Sequence, residues 1–214
     1  VESVNDSGAE NHVLQVAGLT FSLLSNEPQE NLLGKLWEPL GKIMAETGFD
    51  HKKGLGSYYD SDPVYFHFKF GVPEDAYFKN MPAIATGIYD MGTENDRTDN
   101  NVWYLRVAKS IGFGGFNLGR FSLGYFAGNG TLLRGKDGDR DNNGAMIAWE
   151  RVMSEISDKL WFCVDYQGSR SAYGALNVGF SYKINNNVSF ICGYDIYNNR
   201  NLTDTVTFQL DIDF

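Results

Sequence analysis

The sequence predicts an all-β protein, an antiparallel up-and-down barrel of about ten strands whose apolar face turns outward to lipid, a transmembrane barrel. Three observations predict it. Apolar and polar residues alternate strictly through the C-terminal two thirds, which is a strand period and not a helical one. The connections between these segments alternate between long and short. No apolar run reaches the roughly 18 residues that a membrane-crossing helix needs, whereas a barrel strand crosses with ~9–11 alternating residues.

The alternation is clearest at the chain end. Val206, Phe208, Leu210, Ile212 and Phe214 face one way, and Thr207, Gln209, Asp211 and Asp213 the other. In the segment before it, Val188, Phe190, Cys192, Tyr194 and Ile196 oppose Ser189, Gly193 and Asp195. Next upstream, Leu176, Val178, Phe180, Tyr182 and Ile184 oppose Asn177, Gly179, Ser181 and Lys183. Leu160, Phe162, Val164 and Tyr166 oppose Trp161, Cys163, Asp165 and Gln167. Shorter alternations centre on Ile147, Leu123 and Leu105, and a longer one runs from Val64 to Val72. The stretch 82–91 reads as a strand with unassigned faces, which brings the count to nine.

Residues 61–214 thus carry the barrel strands, and residues 1–60 form an N-terminal segment of different character. There, Leu32, Leu33, Leu36, Trp37, Leu40, Ile43 and Met44 recur at helical spacing and predict a helix over 29–44, interrupted at Pro39. Bacterial barrels usually have an even strand number, so one N-terminal strand is expected, from 13–23 or from 43–52.

Alternation alone also fits a soluble sandwich with its apolar face inward. Connection lengths favour the barrel. Counting back from Phe214, the long connections 198–204, 128–143 and 92–101 fall at one end, and the short ones at the other; 73–81 is the exception. The polar face mixes Gly, Ser, Ala and Asn with charges, as a small barrel interior does. Tyr125, Tyr166, Tyr182, Tyr194, Trp103 and Trp149 lie on the apolar face, several of them near strand ends, as interfacial girdles require.

The terminal TVTFQLDIDF resembles the C-terminal strand of bacterial outer-membrane β-barrel proteins, and YKINNNVSFICGYDIYNN resembles the penultimate hairpin of porin-like barrels. The resemblance spans roughly residues 64–214. It implies an outer-membrane location among lipid and lipopolysaccharide. It also implies that Phe208, Leu210, Ile212 and Phe214 are read by the barrel-assembly machinery. The first residue is Val1, which reads as a mature exported chain. A net charge of −9 disfavours nucleic acid as a partner.

If the polar face lines a lumen, its residues are His67, Lys69, Arg106, Arg120, Glu150, Asp165, Lys183, Asp195 and Asp211, nearly balanced in sign. Such a lumen serves either as a narrow, charged, porin-like passage for small solutes or ions, or as an interior filled by ion pairs. Trp161, Phe126 and Tyr104 also point inward. In the 134–144 loop, Asp137, Asp139 and Asp141 have the spacing that opens an EF-hand loop. Asn142 replaces the expected Gly and Ala148 the closing Glu, so the loop reads either as a calcium site or as a solvated acidic loop.

The chain has His12, His51 and His67, and no GxSxG or HExxH motif. Asp90 and Asp165 near an outer rim keep an outer-membrane enzyme as an alternative, alongside a structural or surface-binding barrel. No catalytic residue and no cofactor is assigned. Cys163 and Cys192 fall on opposite faces with one strand between them. At ~4.8 Å per strand their separation exceeds disulfide reach, so both are expected free.

Overall fold

The computed structural model describes residues 2–5, 11–24, 32–54 and 64–214. Eleven strands run antiparallel and up-and-down in one sheet: β2 (Asn11–Leu24), β3 (Met44–Gly54), β4 (Val64–Val72), β5 (Ala83–Gly92), β6 (Asp99–Phe113), β7 (Phe116–Ala127), β8 (Asn143–Val152), β9 (Leu160–Gln167), β10 (Ala175–Lys183), β11 (Val188–Tyr197) and β12 (Thr205–Ile212). Each pairs with its neighbours in sequence, as short connections dictate.

The edges β2 and β12 do not pair with each other among the described residues. The four-residue strand β1 (Glu2–Asn5) sits between them, matching Glu2–Val4 to Thr207–Thr205 and Glu2–Asn5 to Leu14–Asn11. Beyond that short ladder, among the described residues, the sheet is open along a seam. The expected count of about ten strands is therefore corrected. Both N-terminal candidates are strands, because both alternate: Leu19, Phe21 and Leu23 face out on β2, and Glu46, Gly48, Asp50 and Lys52 line up on one face of β3. The second pattern is easily missed, since Phe49 is the only large apolar residue on the opposite face.

The expected helix over 29–44 is also corrected. Residues 29–31 lie outside the described residues. Helix α1 (Leu32–Leu36) ends at Trp37, a one-turn 3-10 helix covers Glu38–Lys42 around Pro39, and Met44 already belongs to β3. Proline removes a backbone donor and clashes with the preceding turn, so the apolar spacing does not carry the helix through.

Alternation sets the two faces. The apolar face is outward and exposed, with Leu123, Leu105, Ile147, Phe208, Leu210 and Ile212 each about half open. Near one end of the sheet, here called upper, Trp103, Tyr125, Tyr166 and Tyr194 stand on this face. Tyr182 and Trp149 stand towards the other end, where Phe214 lies.

The upper connections are 93–98, 128–142, 168–174 and 198–204. The lower ones include a two-residue hairpin at Gly114 and Gly115, whose φ angles of 58° and 83° suit residues without a Cβ. The long lower connection 73–82 is a ledge: Tyr77 donates to the carbonyl of Pro39 at 2.8 Å, and Lys42 donates to the carbonyl of Ala76.

The unassigned faces of 82–91 have a local cause. Asp90 has a φ of 53° and lies at register shifts against both β4 and β6. A bulge of this kind inserts a residue and breaks the period of two.

Candidate functional site

The inner face is polar and extensively paired. At the lower end Arg120 and Glu150 sit opposite each other on β7 and β8 and form an ion pair at 2.9 Å. Glu74 reaches over from the 73–82 ledge, lies 3.4 Å from Arg120, and accepts from the amide and hydroxyl of Ser110. Burial pushes the Glu74 carboxyl up, but the Ser110 hydrogen bonds and nearby Lys109 outweigh it and hold it below its usual range.

In the middle, Lys69 donates to Glu46 at 2.8 Å across β3 and β4. His67 lies 3.1 Å from the Thr20 hydroxyl through Nε2 and 3.8 Å from Asp50 through Nδ1. On the opposite wall Asn177 donates to Asp165 at 2.7 Å, and Asp195 accepts from Thr205 and Thr207 at 3.0 and 3.1 Å. Asp211 is hydrogen-bonded by Gln209. Lys183 lies at the lower end beside a cavity of about 360 Å³ that Trp161, Ser189 and Asp213 also line. Arg106 lies opposite Gly124 on β7 and Ala85 on β5.

The upper end is filled. Val102, Phe126, Leu133 and Met146 form a buried apolar cluster, with Tyr89, Tyr104, Leu132 and Tyr173 packed against it. Leu132 and Leu133 come from the 128–142 loop, which folds back into the mouth. Beside the cluster Lys52 donates to Asp90 at 2.6 Å, and the Tyr173 hydroxyl donates to the other oxygen of Asp90. Burial, reinforced by the Asp90 charge, pushes the Tyr173 hydroxyl well above its usual range and keeps it a donor.

The nine lumen candidates thus share one face but form several separate pairs and not one cluster. Sequence reasoning missed Glu46, Asp50 and Lys52, whose signal was their spacing of two on β3. It also missed Glu74 and Tyr173, which lie in connections and carry no periodic signal.

The acidic residues of the 134–144 loop do not converge on one point. Among the described residues no three His, Cys, Asp or Glu side chains group to hold a metal. Asp137 and Asp139 are exposed, while the Asp141 carboxylate turns to the Arg170 amide at 2.9 Å. The 168–174 loop thus engages the Asp141 carboxylate.

Cys163 and Cys192 are both free, on β9 and β11 with β10 between. The rim carboxylates Asp90 and Asp165 are engaged by the partners named above and do not meet His67. His51 lies on β3 opposite Val64, and the side chain of His12 lies outside the described residues. Phe208, Leu210, Ile212 and Phe214 are exposed. Comparison with protein-family models, with curated proteins and with solved structures finds no match.

Proposed function

We propose that the chain spans a bacterial outer membrane as a barrel-like sheet and offers small solutes or ions a narrow, charged path along its inner face. The observation that carries this reading is the inversion of the faces. Large apolar side chains point outward around the sheet, with aromatic residues towards both ends of the strands, while ion pairs point inward. A water-soluble sandwich would bury the first face and expose the second; lipid contact reverses that preference. In this reading Phe208, Leu210, Ile212 and Phe214 belong to the strand recognised during assembly. Lipid and lipopolysaccharide are the surroundings.

Single-channel recording of the purified protein in a planar bilayer tests the passage. Discrete conductance steps that change with Arg120→Gln or Glu150→Gln support it. A protein that inserts and stays silent favours a second reading, a filled structural or surface-binding barrel. The apolar cluster around Phe126 in the upper mouth is the observation behind that reading. Cooperative folding in buffer without detergent or lipid would sink both.

A further inference from the structure

We infer that Thr20, His67 and Asp50 form a nucleophilic acyl-transfer site at the seam between β2 and β12, built for a carboxylic ester carrying a hydrocarbon chain. This goes beyond the proposed passage and does not require it.

The three side chains come from adjacent strands and stand in the order nucleophile, base, acid. His67 Nε2 lies 3.1 Å from Thr20 Oγ1, within reach for a proton, and its Nδ1 faces Asp50 Oδ2 at 3.8 Å. A base held by a carboxylate on one nitrogen and a hydroxyl on the other is the arrangement that activates a hydroxyl nucleophile. The second distance is longer than a hydrogen bond, and such contacts often tighten only when substrate is bound.

Two glycines make room for the group. A Cβ on Gly48 would sit 2.4 Å from His67 Nε2, and one on Gly18 would sit 2.1 Å from Asp50 Oδ1. Any side chain at either position would displace the base or the acid.

The site opens on a space that suits the substrate. Thr20 and Asp50 line a cavity of about 910 Å³, together with Thr207 and Gln209 from the inner face of β12 and Phe208 and Leu210 from its outer face. The cavity therefore has polar lining from the inner face beside apolar lining from the outer face. A long-chain ester fits with its acyl chain outward and its carbonyl near Thr20. From Gln209 on, the edge of β12 that faces β2 lies outside any ladder among the described residues. The backbone N–H groups of this edge are the donors proposed for an oxyanion.

The chemistry balances with water as the only co-reactant. Thr20 Oγ attacks the ester carbon as its proton passes to His67 Nε2. The carbon–oxygen bond to the alcohol breaks, and the alcohol leaves with that proton. Water then gives a proton to Nε2 and bonds to the acyl carbon, and Thr20 Oγ leaves and recovers the proton. Ester and water become acid and alcohol.

The test uses the folded protein in detergent and an alkyl fluorophosphonate probe, with the adduct located by mass spectrometry. The expected result is an adduct on residue 20 that forms faster in Thr20→Ser and is absent in Thr20→Val. In His67→Gln it should slow by about 10²–10⁴-fold, the usual contribution of a general base. Circular dichroism on each variant separates loss of labelling from loss of fold, and Thr20→Ser keeps the test open if His67→Gln misfolds. The proposal is overturned if residue 20 stays unlabelled in both the parent and Thr20→Ser. It is equally overturned if a folded His67→Gln labels at the parental rate. Conductance is recorded separately, so either outcome leaves the passage to its own test.

Discussion

The arc from β5 to β9 and the seam between β12 and β2 are made of the same kind of strand, yet they are held in different ways. On the arc, neighbouring strands pair over most of their length, and the Phe126 cluster fills the space inside them. At the seam, two alternating strands face each other with only β1 between them at the upper end. The difference teaches that alternation specifies a strand and its faces, but not its partner. Partner choice needs either a short connection or packed side chains inside. The arc has the Phe126 cluster inside it and a two-residue hairpin between β6 and β7, whereas the seam joins the two ends of the chain and has neither.

The largest expected effect lies on the arc. Phe126 is 0% exposed, and Phe126→Ala should cost about 3–5 kcal/mol by removing transfer free energy and leaving a cavity. Equilibrium unfolding in detergent measures it. A loss under 1 kcal/mol would mean that the upper plug is not what distinguishes the arc.

Next comes the contrast between faces. Phe180→Arg on the outer face of β10 should cost ~2–4 kcal/mol in a bilayer if the site lies near mid-membrane. Asn177→Arg, on the inner face of the same strand, can pair with Asp165 and should cost less. Equal costs would remove the distinction between a lipid-facing and a lumen-facing side.

Glu74→Gln should cost about 1 kcal/mol near neutral pH through weakened charged hydrogen bonds. The Glu74 carboxyl is held below its ordinary value. Its contribution is therefore complete above the unfolded carboxylate pKa and is lost as pH falls through the lowered folded value. Parent and variant stabilities should converge in acid. A gap that persists there would assign the effect to packing of the ledge.

The smallest free energies belong to the seam and the loop tip. Amides of β12 beyond Phe208 that face the seam should exchange with solvent well before those of β8, because edge strands open locally at little cost. Matching protection on both would show that the edges are zipped together. An epitope inserted at Gly138, an exposed tip with a φ of 77°, should leave the barrel folded and be read on intact cells. Access only after permeabilising the outer membrane would place the upper end, with its long connections, on the periplasmic side.

The sequence by itself determined the strand class, the faces of β4 and of β6 to β12, and the separation of the two cysteines. These follow from a period of two, and local sterics impose that period wherever one face is apolar. It also determined which residues share the inner face, since Lys69, Arg120, Glu150, Asp165 and Asp195 all fall on the polar beat. Only the tertiary structure decided how those residues pair. Glu74 and Tyr173 reach Arg120 and Asp90 from connections, where side-chain direction depends on long-range contacts and not on spacing. It decided likewise that the bulge at Asp90 turns a carboxylate to Lys52, that Leu133 enters the mouth, and that β2 and β12 meet across a seam. Each of these joins residues far apart in the chain, and contacts at that separation leave no local periodicity to read.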